Sequence, residues 1–178
     1  FWEAEAEFLA AIEEIMFDHE TDGLIVDFRM NYGGNMFLSD NALELLFNQP
    51  TASIDWVERC DPNDHLGLCA QQVPHLYIIN GQASSFYDKP IALLTGPGAI
   101  SSGDQVALRV SLHPNARVFG RPTSAAFNAP TGFNFAADAT WSADYAELDA
   151  FLLSNPGNYL THEEFPVDEE VWLEQDDV

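Results

Sequence analysis

The chain has 178 residues, a length typical of one domain, and its 47% of hydrophobic residues is enough to build a core, which excludes intrinsic disorder. Six Lys and Arg against 29 Asp and Glu give a net charge of −23. That charge repels phosphate backbones and anionic lipids, so it excludes nucleic acid and membrane surfaces as partners and suits a salty or extracellular setting.

The first residues of the chain do not resemble a targeting segment. Residues 1–17 carry several glutamates, whereas a signal peptide has a basic start and an apolar middle. No apolar run in the chain approaches the roughly 20 residues that cross a bilayer, so we expect no membrane insertion. Because the chain starts at Phe1 rather than at Met, we expect it to be a piece of a longer precursor.

The first part of the chain predicts a helix, a strand, a glycine turn and a second helix. Apolar residues recur on one helical face over residues 1–16, with glutamates on the other side. Residues 24–29 form a short apolar run that predicts a buried strand. The glycine-containing turn 31–35 then leads into a helix predicted over 36–47.

Residues 51–74 predict an irregular insertion that holds both cysteines. Cys60 and Cys69 can close a disulfide loop in an oxidising compartment, remain two thiols, or bind a metal together with His65. Their spacing matches none of the common zinc patterns, so the disulfide is favoured and no metal site is predicted.

The second part of the chain repeats the order of the first. Residues 91–95 predict a buried strand, 96–104 a glycine-rich turn, 105–112 a helix and 117–120 a further strand. Two successive units of strand, glycine turn and helix predict an α/β fold with right-handed crossovers. Strand hairpins are predicted over 132–141, and we expect residues 1–178 to form a single domain.

Both glycine turns are candidate sites, because open α/β sheets bind ligands where strands end and helices begin. The turns place the Ser101 hydroxyl at a helix start and the backbone N–H of Ser102 beside it. Gly33 and Gly34 lack a Cβ and can bring further N–H groups close to a developing oxyanion. The same residues also fit a plain helix cap at Ser101 and two ordinary turn glycines.

The order of several motifs resembles the carboxyl-terminal-processing, or tail-specific, serine peptidases. The similar segments are Gly23 to Asn35, Lys89 to Asp104, Ala116 to Thr123 and Glu163 to Val171, which cover most of the chain outside 51–74. Each segment is weakly specific and the ordered set is more so. The resemblance implies a crotonase-like core of ββα units in a secreted or periplasmic serine peptidase, which acts on peptides or proteins without a cofactor.

The family has two catalytic arrangements, and the residues favour one of them. In the Ser/Lys branch the base is a lysine at the position of Ala126, and the only lysine here, Lys89, precedes the nucleophile strand. In the tricorn-like branch the base is a histidine, and the nucleophile stands in a Ser-x-Gly-Asp motif, which residues 101–104 match. The resemblance therefore implies acyl transfer through Ser101, with Asp104 in a supporting role.

The remaining catalytic groups are harder to place. The closing motif implies Glu163 as the carboxylate that supports the base, with Glu164 next, although both also fit surface glutamates among the 29 acids. The base is expected before Phe1, so this chain by itself should be inactive or nearly so. None of the five histidines stands where the motif expects a base: His19, His65, His75, His113 and His162.

Two other functions fit the same kind of fold. Interphotoreceptor retinoid-binding protein has it and binds apolar ligands, so a non-catalytic binding module is the second hypothesis. A crotonase-type acyl-thioester enzyme also needs two oxyanion donors, but the chain has few basic residues to meet a coenzyme phosphate. Tyr32 stands where the peptidase family often has glycine, and we expect it to narrow the space beside the oxyanion site.

Overall fold

The computed structural model describes residues 2–18, 21–59, 68–70, 76–127, 129–134, 142–152 and 167–171. The helices are α1 (Trp2–Glu13), α2 (Asp40–Glu44) and α3 (Ser102–Ser111), with a π-helical turn at Glu14–Asp18 and a 3₁₀ turn at Met36–Ser39. The strands are β1 (Leu24–Asp27), β2 (Thr51–Arg59), β3 (Leu68–Ala70), β4 (Leu76–Ile79), β5 (Ile91–Thr95), β6 (Ala116–Gly120), β7 (Ala129–Asn134), β8 (Ser142–Leu152) and β9 (Glu169–Glu170). None of the helices described is long and apolar enough to cross a membrane.

A parallel sheet carries both glycine turns. Its strand order is β1-β5-β6-β9, with Leu24 opposite Ile91 and Ile91 opposite Ala116. Strand β5 has a neighbour on each side, and Ile91, Leu93 and Thr95 are buried. The predicted α/β class is confirmed, since parallel strands alternate with α2 and α3 along the chain. The finer ββα arrangement of a crotonase-like core stays a prediction.

A second sheet is antiparallel and includes the region predicted as an insertion. Its order is β3-β2-β8-β7, and β4 also pairs with β2. The prediction of irregular structure is wrong for residues 51–59, which form a nine-residue strand. Local sequence missed it because β2 pairs with β8 far along the chain, as with Trp56 opposite Ala150. Cys60 and the side chain of Cys69 lie outside the described residues, so their disulfide stays a prediction.

The helix that follows the first glycine turn is shorter than the pattern predicted. Residues 36–39 form a 3₁₀ turn, and only Asp40–Glu44 are α-helical. The Ser39 hydroxyl donates to the carbonyl of Met36 (2.7 Å), and the Asn35 side chain accepts from the N–H of Phe37 (3.1 Å). Side chains that bond the nearby backbone in this way compete with regular helix formation.

The core lies between α3, α2 and the parallel sheet. Every residue of α3 from Ser102 to Val110 is buried. These side chains pack with the apolar residues after the first turn and with β5, including Leu43, Leu46 and Leu93. A helix buried on all sides is held rigidly by packing, and its first residue is therefore a well-fixed place for a functional group.

Candidate active site

The two glycine turns lie side by side at the carboxyl ends of β1 and β5. The N–H of Phe28 donates to the carbonyl of Leu94 (2.9 Å), which continues the strand pairing to the end of β1. The N–H of Ile100 then donates to the carbonyl of Asn31 (3.0 Å), which joins one turn to the other. Parallel pairing thus brings together the two turns that the sequence singles out.

A very close approach of α3 to the first turn depends on Gly103. A Cβ added to Gly103 would lie 2.3 Å from the backbone oxygen of Asn31 and 3.2 Å from its Oδ1 atom. Side chains do not tolerate such a distance, so only glycine lets the first turn of α3 pack directly on this loop. Asn31, which lies on the first glycine turn, is consequently also in contact with the start of α3.

Ser101 has a strained backbone and an uncommitted hydroxyl. Its φ is 59° and its ψ is −116°, a region that residues with a side chain rarely adopt. It occupies the N-cap position of α3, yet its side chain makes no capping hydrogen bond. The plain helix-cap interpretation of Ser101 therefore does not describe the structure. Its Oγ lies 3.6 Å from the point where a Cβ on Gly33 would stand, so it faces the first glycine turn.

The backbone donors beside Ser101 are not equivalent. Gly33 has a φ of 93°, and its N–H already donates to Oδ1 of Asn31 (3.1 Å). Within the described part of the chain, the N–H groups of Gly34 and Ser102 make no hydrogen bond. A Cβ on Gly34 would lie 3.9 Å from the Ser102 hydroxyl, so these two donors are near neighbours. A direct oxyanion role for Gly33 stays a prediction that requires its present bond to be exchanged.

Asp104 binds a downstream loop to the start of α3. Its buried carboxylate accepts from the Ser124 hydroxyl (3.1 Å) and from the N–H groups of Ala125 (2.9 Å) and Ala126 (3.3 Å). Burial raises the pKa of Asp104, and the hydrogen bonds it accepts oppose that change. Ala126 occupies the position at which the Ser/Lys branch has its lysine. Its side chain is a methyl group, which cannot act as a base.

Of the five histidines, only His113 lies among the described residues. Its Nδ1 atom accepts from the N–H of Asn115 (3.2 Å), so Nε2 carries the proton that is shared with the carbonyl of Tyr87 (2.9 Å). Burial lowers the pKa of His113 and favours this neutral form. It lies beyond the far end of the ten-residue α3, a helix roughly 15 Å long that separates it from Ser101. His113 is therefore a structural group at the end of the helix.

The predicted carboxylates Glu163 and Glu164 and the other histidines lie outside the described residues. In the part that is described, no three His, Cys, Asp or Glu side chains come together to hold a metal ion.

Tyr32 differs from expectation: its side chain is 66% exposed, and its hydroxyl contacts the sulfur of Met30 (3.7 Å). Tyr32 is not among the residues that line the cleft beside the turns, so it does not narrow that space.

A buried ion pair joins the helices that follow the two turns, and the sequence did not reveal it. Nη2 of Arg109 on α3 lies 2.6 Å from Oδ1 of Asp40, the first residue of α2. The Arg109 side chain is 1% exposed and that of Asp40 is 34% exposed. One signal was available, because Arg109 is a single charged residue within a run of apolar ones on α3.

A cleft of about 360 Å³ opens beside the turns. Gly33, Gly34 and Ser102 form part of its wall. Apolar side chains from α1, from the residue after β1, from the 3₁₀ turn and from α3 form much of the rest. The site thus combines a strained serine, an adjoining cavity and two backbone N–H groups that make no hydrogen bond to any described residue. Such a set can hold and attack a carbonyl group.

Comparison with known proteins gives a family and a fold. The profile of peptidase family S41 matches residues 1–147. No curated protein sequence gives a significant match. Among solved structures, a candidate peptidase from Parabacteroides merdae ATCC 43184 is similar, with a TM-score of 0.74 and 20% identity over 92% of this chain and 50% of that one.

Two further structures are similar to the same extent. Mature CPAF complexed with lactacystin gives a TM-score of 0.73 and 14% identity over 93% of this chain and 42% of that one. The photosystem II D1 C-terminal processing protease gives a TM-score of 0.72 and 16% identity over 95% of this chain and 39% of that one. At these identities the likeness concerns the fold alone. This chain spans half or less of the length of each of these three structures.

Proposed function

Because this chain belongs to peptidase family S41, we propose that it is the catalytic core of a serine peptidase that hydrolyses peptide bonds through Ser101. The backbone of Ser101 carries the proposal. A strained conformation that leaves the hydroxyl free of any capping bond costs stability and is typical of functional sites. Peptides or proteins outside the cytoplasm are the proposed substrates, in keeping with the acidic composition.

The proposed reaction is acyl transfer in two steps. Oγ of Ser101 attacks the scissile carbonyl carbon, a histidine outside the described residues takes its proton, and the same histidine gives a proton to the leaving amine as the C–N bond breaks. Water then attacks the acyl-serine ester, which releases the acid product and restores the hydroxyl. Glu163 is proposed to orient the histidine.

The backbone supplies the stabilisation of the tetrahedral intermediate. The N–H groups of Gly34 and Ser102 are the proposed donors, since neither is engaged within the described residues. Ser102 is the first residue of α3, whose positive dipole end favours the developing negative charge, and Gly34 lies next to it on the first turn. One donor of this kind contributes about 10²- to 10³-fold in rate in serine peptidases.

Asn31 and Asp104 are proposed as positioning residues. Asn31 accepts from the N–H of Ile100 directly before Ser101, and Asp104 fixes the first turn of α3 to the loop at Ser124. Their role is to hold the strained residue in one geometry, which is what nucleophilic attack requires.

A hydrolysis assay on the full-length natural protein that contains these residues tests the proposal. We expect Ser101→Ala to lower the rate at which a mixed peptide library is cleaved by several orders of magnitude. Ser111→Ala is the matched control, since that serine stands at the other end of α3 and its hydroxyl donates to the carbonyl of Leu108 on the same helix. Equal cleavage by wild type and Ser101→Ala would refute the proposal, and a protein that binds peptides without cleaving them would favour the binding-module hypothesis.

A further inference from the structure

The cleft beside Ser101 has a predominantly apolar wall that the catalytic residues do not explain. We call it the specificity cleft and define it by Phe8, Phe28, Leu38 and Val106, which line it together with the glycine turn. Phe28 and Val106 are buried, and Phe8 and Leu38 are half-buried at its mouth. Its volume of about 360 Å³ is well above the roughly 150 Å³ of a cavity that admits benzene.

The polar groups of the cleft carry no charge. They come from Asn31, Asn35, Ser39 and Ser102, and none of the described lining residues is a Lys, Arg, Asp or Glu. An ionised group placed there would lose its hydration without gaining an opposite charge, which is costly. An apolar group would instead exchange water for contact with two phenylalanines and two aliphatic side chains, which is favourable.

The position of the cleft relates it to one particular substrate residue. In acyl transfer the scissile carbonyl carbon is bonded to the Cα of the residue on its amino side. If the carbonyl oxygen meets the N–H groups of Gly34 and Ser102, the side chain on that Cα must lie within a few ångströms of the same two residues. Both line the cleft. We infer that the specificity cleft takes the side chain immediately before the scissile bond and selects large apolar side chains, of the size of leucine or phenylalanine.

This inference rests on the proposed function, and it gives α1 a role beyond the core. Phe8 comes from α1, which is held against α2 by the hydrogen bond from Nδ2 of Asn41 to Glu5 (2.7 Å). Val106 stands one helical turn after Ser102 and faces the same side of α3. The four apolar residues of the cleft thus come from four segments: α1, the residue after β1, the 3₁₀ turn and α3.

Peptide binding to the Ser101→Ala form of the full-length protein tests the inference without any need for turnover. The probes are N-acetyl-Gly-Gly-X-amides in which X is Leu, Phe, Ala or Gln, so all are neutral and Gln matches Leu closely in size. We expect the Leu and Phe peptides to bind at least about tenfold more tightly than the Ala and Gln peptides. The readout is the dissociation constant from calorimetry.

Two neighbouring residues give a matched pair of variants. Leu38→Ala should reduce the preference for Leu over Ala severalfold, whereas Phe37→Ala should leave it unchanged, because Phe37 is 59% exposed and lies in the same 3₁₀ turn outside the cleft. Phe8→Ala, at a half-buried position, repeats the test if Leu38→Ala proves unstable in a thermal melt.

The outcomes separate this inference from the proposed function. Equal affinity for all four probes, no measurable binding, or a preference that survives both cleft variants overturns the inference, even where Ser101 is shown to be the nucleophile. The expected preference in a protein that cleaves no peptide would leave the cleft as an apolar binding site and would refute the peptidase proposal alone.

Discussion

The two glycine turns occupy equivalent places after neighbouring parallel strands, yet they are held in different ways. The first follows β1, the end strand of the described sheet, where Ile25 is 71% exposed. The second follows the central strand β5 and opens the buried helix α3. The turn that carries the proposed nucleophile is fixed by the core, whereas the turn that offers a proposed oxyanion donor is fixed mainly by its contact with the other.

The ion pairs near the two turns differ in the same way, since the pair at the first turn is exposed and the pair on α3 includes a buried arginine. Arg29 and Asp27 form an exposed pair at the end of β1 (2.6 Å), and Arg29 lowers the pKa of Asp27 by hydrogen bonding to it. Arg109 and Asp40 form the buried pair between α3 and α2. Water screens the first pair more than the second, in which Arg109 is buried, so removal of the second pair should cost more stability.

The largest expected effect follows from breaking the buried pair. Asp40→Asn removes the carboxylate charge that lies 2.6 Å from the buried guanidinium of Arg109. Removal of one member of a buried pair costs about 3–5 kcal/mol, and we expect the lower end of that range because Asp40 is 34% exposed. Urea unfolding measures the loss. Asp27→Asn is the control, and its change should be far smaller because that pair is exposed. Equal losses in the two variants would show that the buried pair does not anchor the second turn.

A smaller effect should come from the contact between the turns. Gly103→Ala places a methyl group 2.3 Å from the Asn31 oxygen, and relief of such overpacking costs about 1–3 kcal/mol. Gly23→Ala is a matched control, because its Cβ would lie 3.3 Å from the nearest atom, the Pro90 oxygen. We expect Gly103→Ala to slow modification of Ser101 by an active-site probe as well. A normal rate in a folded variant would mean that the contact does not position the serine.

The smallest expected effect is a pH dependence at the second turn. Because burial raises the pKa of Asp104 above its ordinary value of 3.8, the folded state binds this proton more tightly than the unfolded state. Its contribution to stability is full below pH 3.8 and is lost as the pH rises through the raised pKa. Relative to Asp104→Asn, wild type should therefore lose stability over that range, by about 1.4 kcal/mol for each unit of the pKa difference. Parallel stability curves for the two proteins would contradict the burial of an ionisable Asp104.

The sequence was sufficient where local pattern decides the structure. The strands that begin at Leu24 and Ile91 and the glycine turns after them followed from apolar runs, and parallel pairing then placed Ser101 beside Gly33. Strand β2 was missed because its partner β8 is distant in the chain. The helix predicted over 36–47 was too long because periodicity ignores the hydrogen bond of Ser39 to the backbone.

Within the site, the sequence motifs identified the residues but not their backbone conformation or their hydrogen bonds. The nucleophile segment identified Ser101 but not its positive φ, which no local motif reports. The two glycines were treated alike, and only the structure shows that the Gly33 N–H is already bound to Asn31. The pair of Arg109 with Asp40 joins residues 69 positions apart, a contact that no local pattern reports.

The assignment of Ser101 as the nucleophile is tested most directly by covalent labelling. The full-length protein, its Ser101→Ala variant and the 178-residue chain are each treated with a fluorophosphonate, digested and analysed by mass spectrometry. We expect a single adduct on the full-length protein at Ser101, none on the variant, and labelling of the 178-residue chain that is slower by several orders of magnitude, because its histidine base is expected upstream. Fast labelling of that chain at Ser101 would place the base among its own residues, and equal labelling of wild type and Ser101→Ala would contradict the central claim.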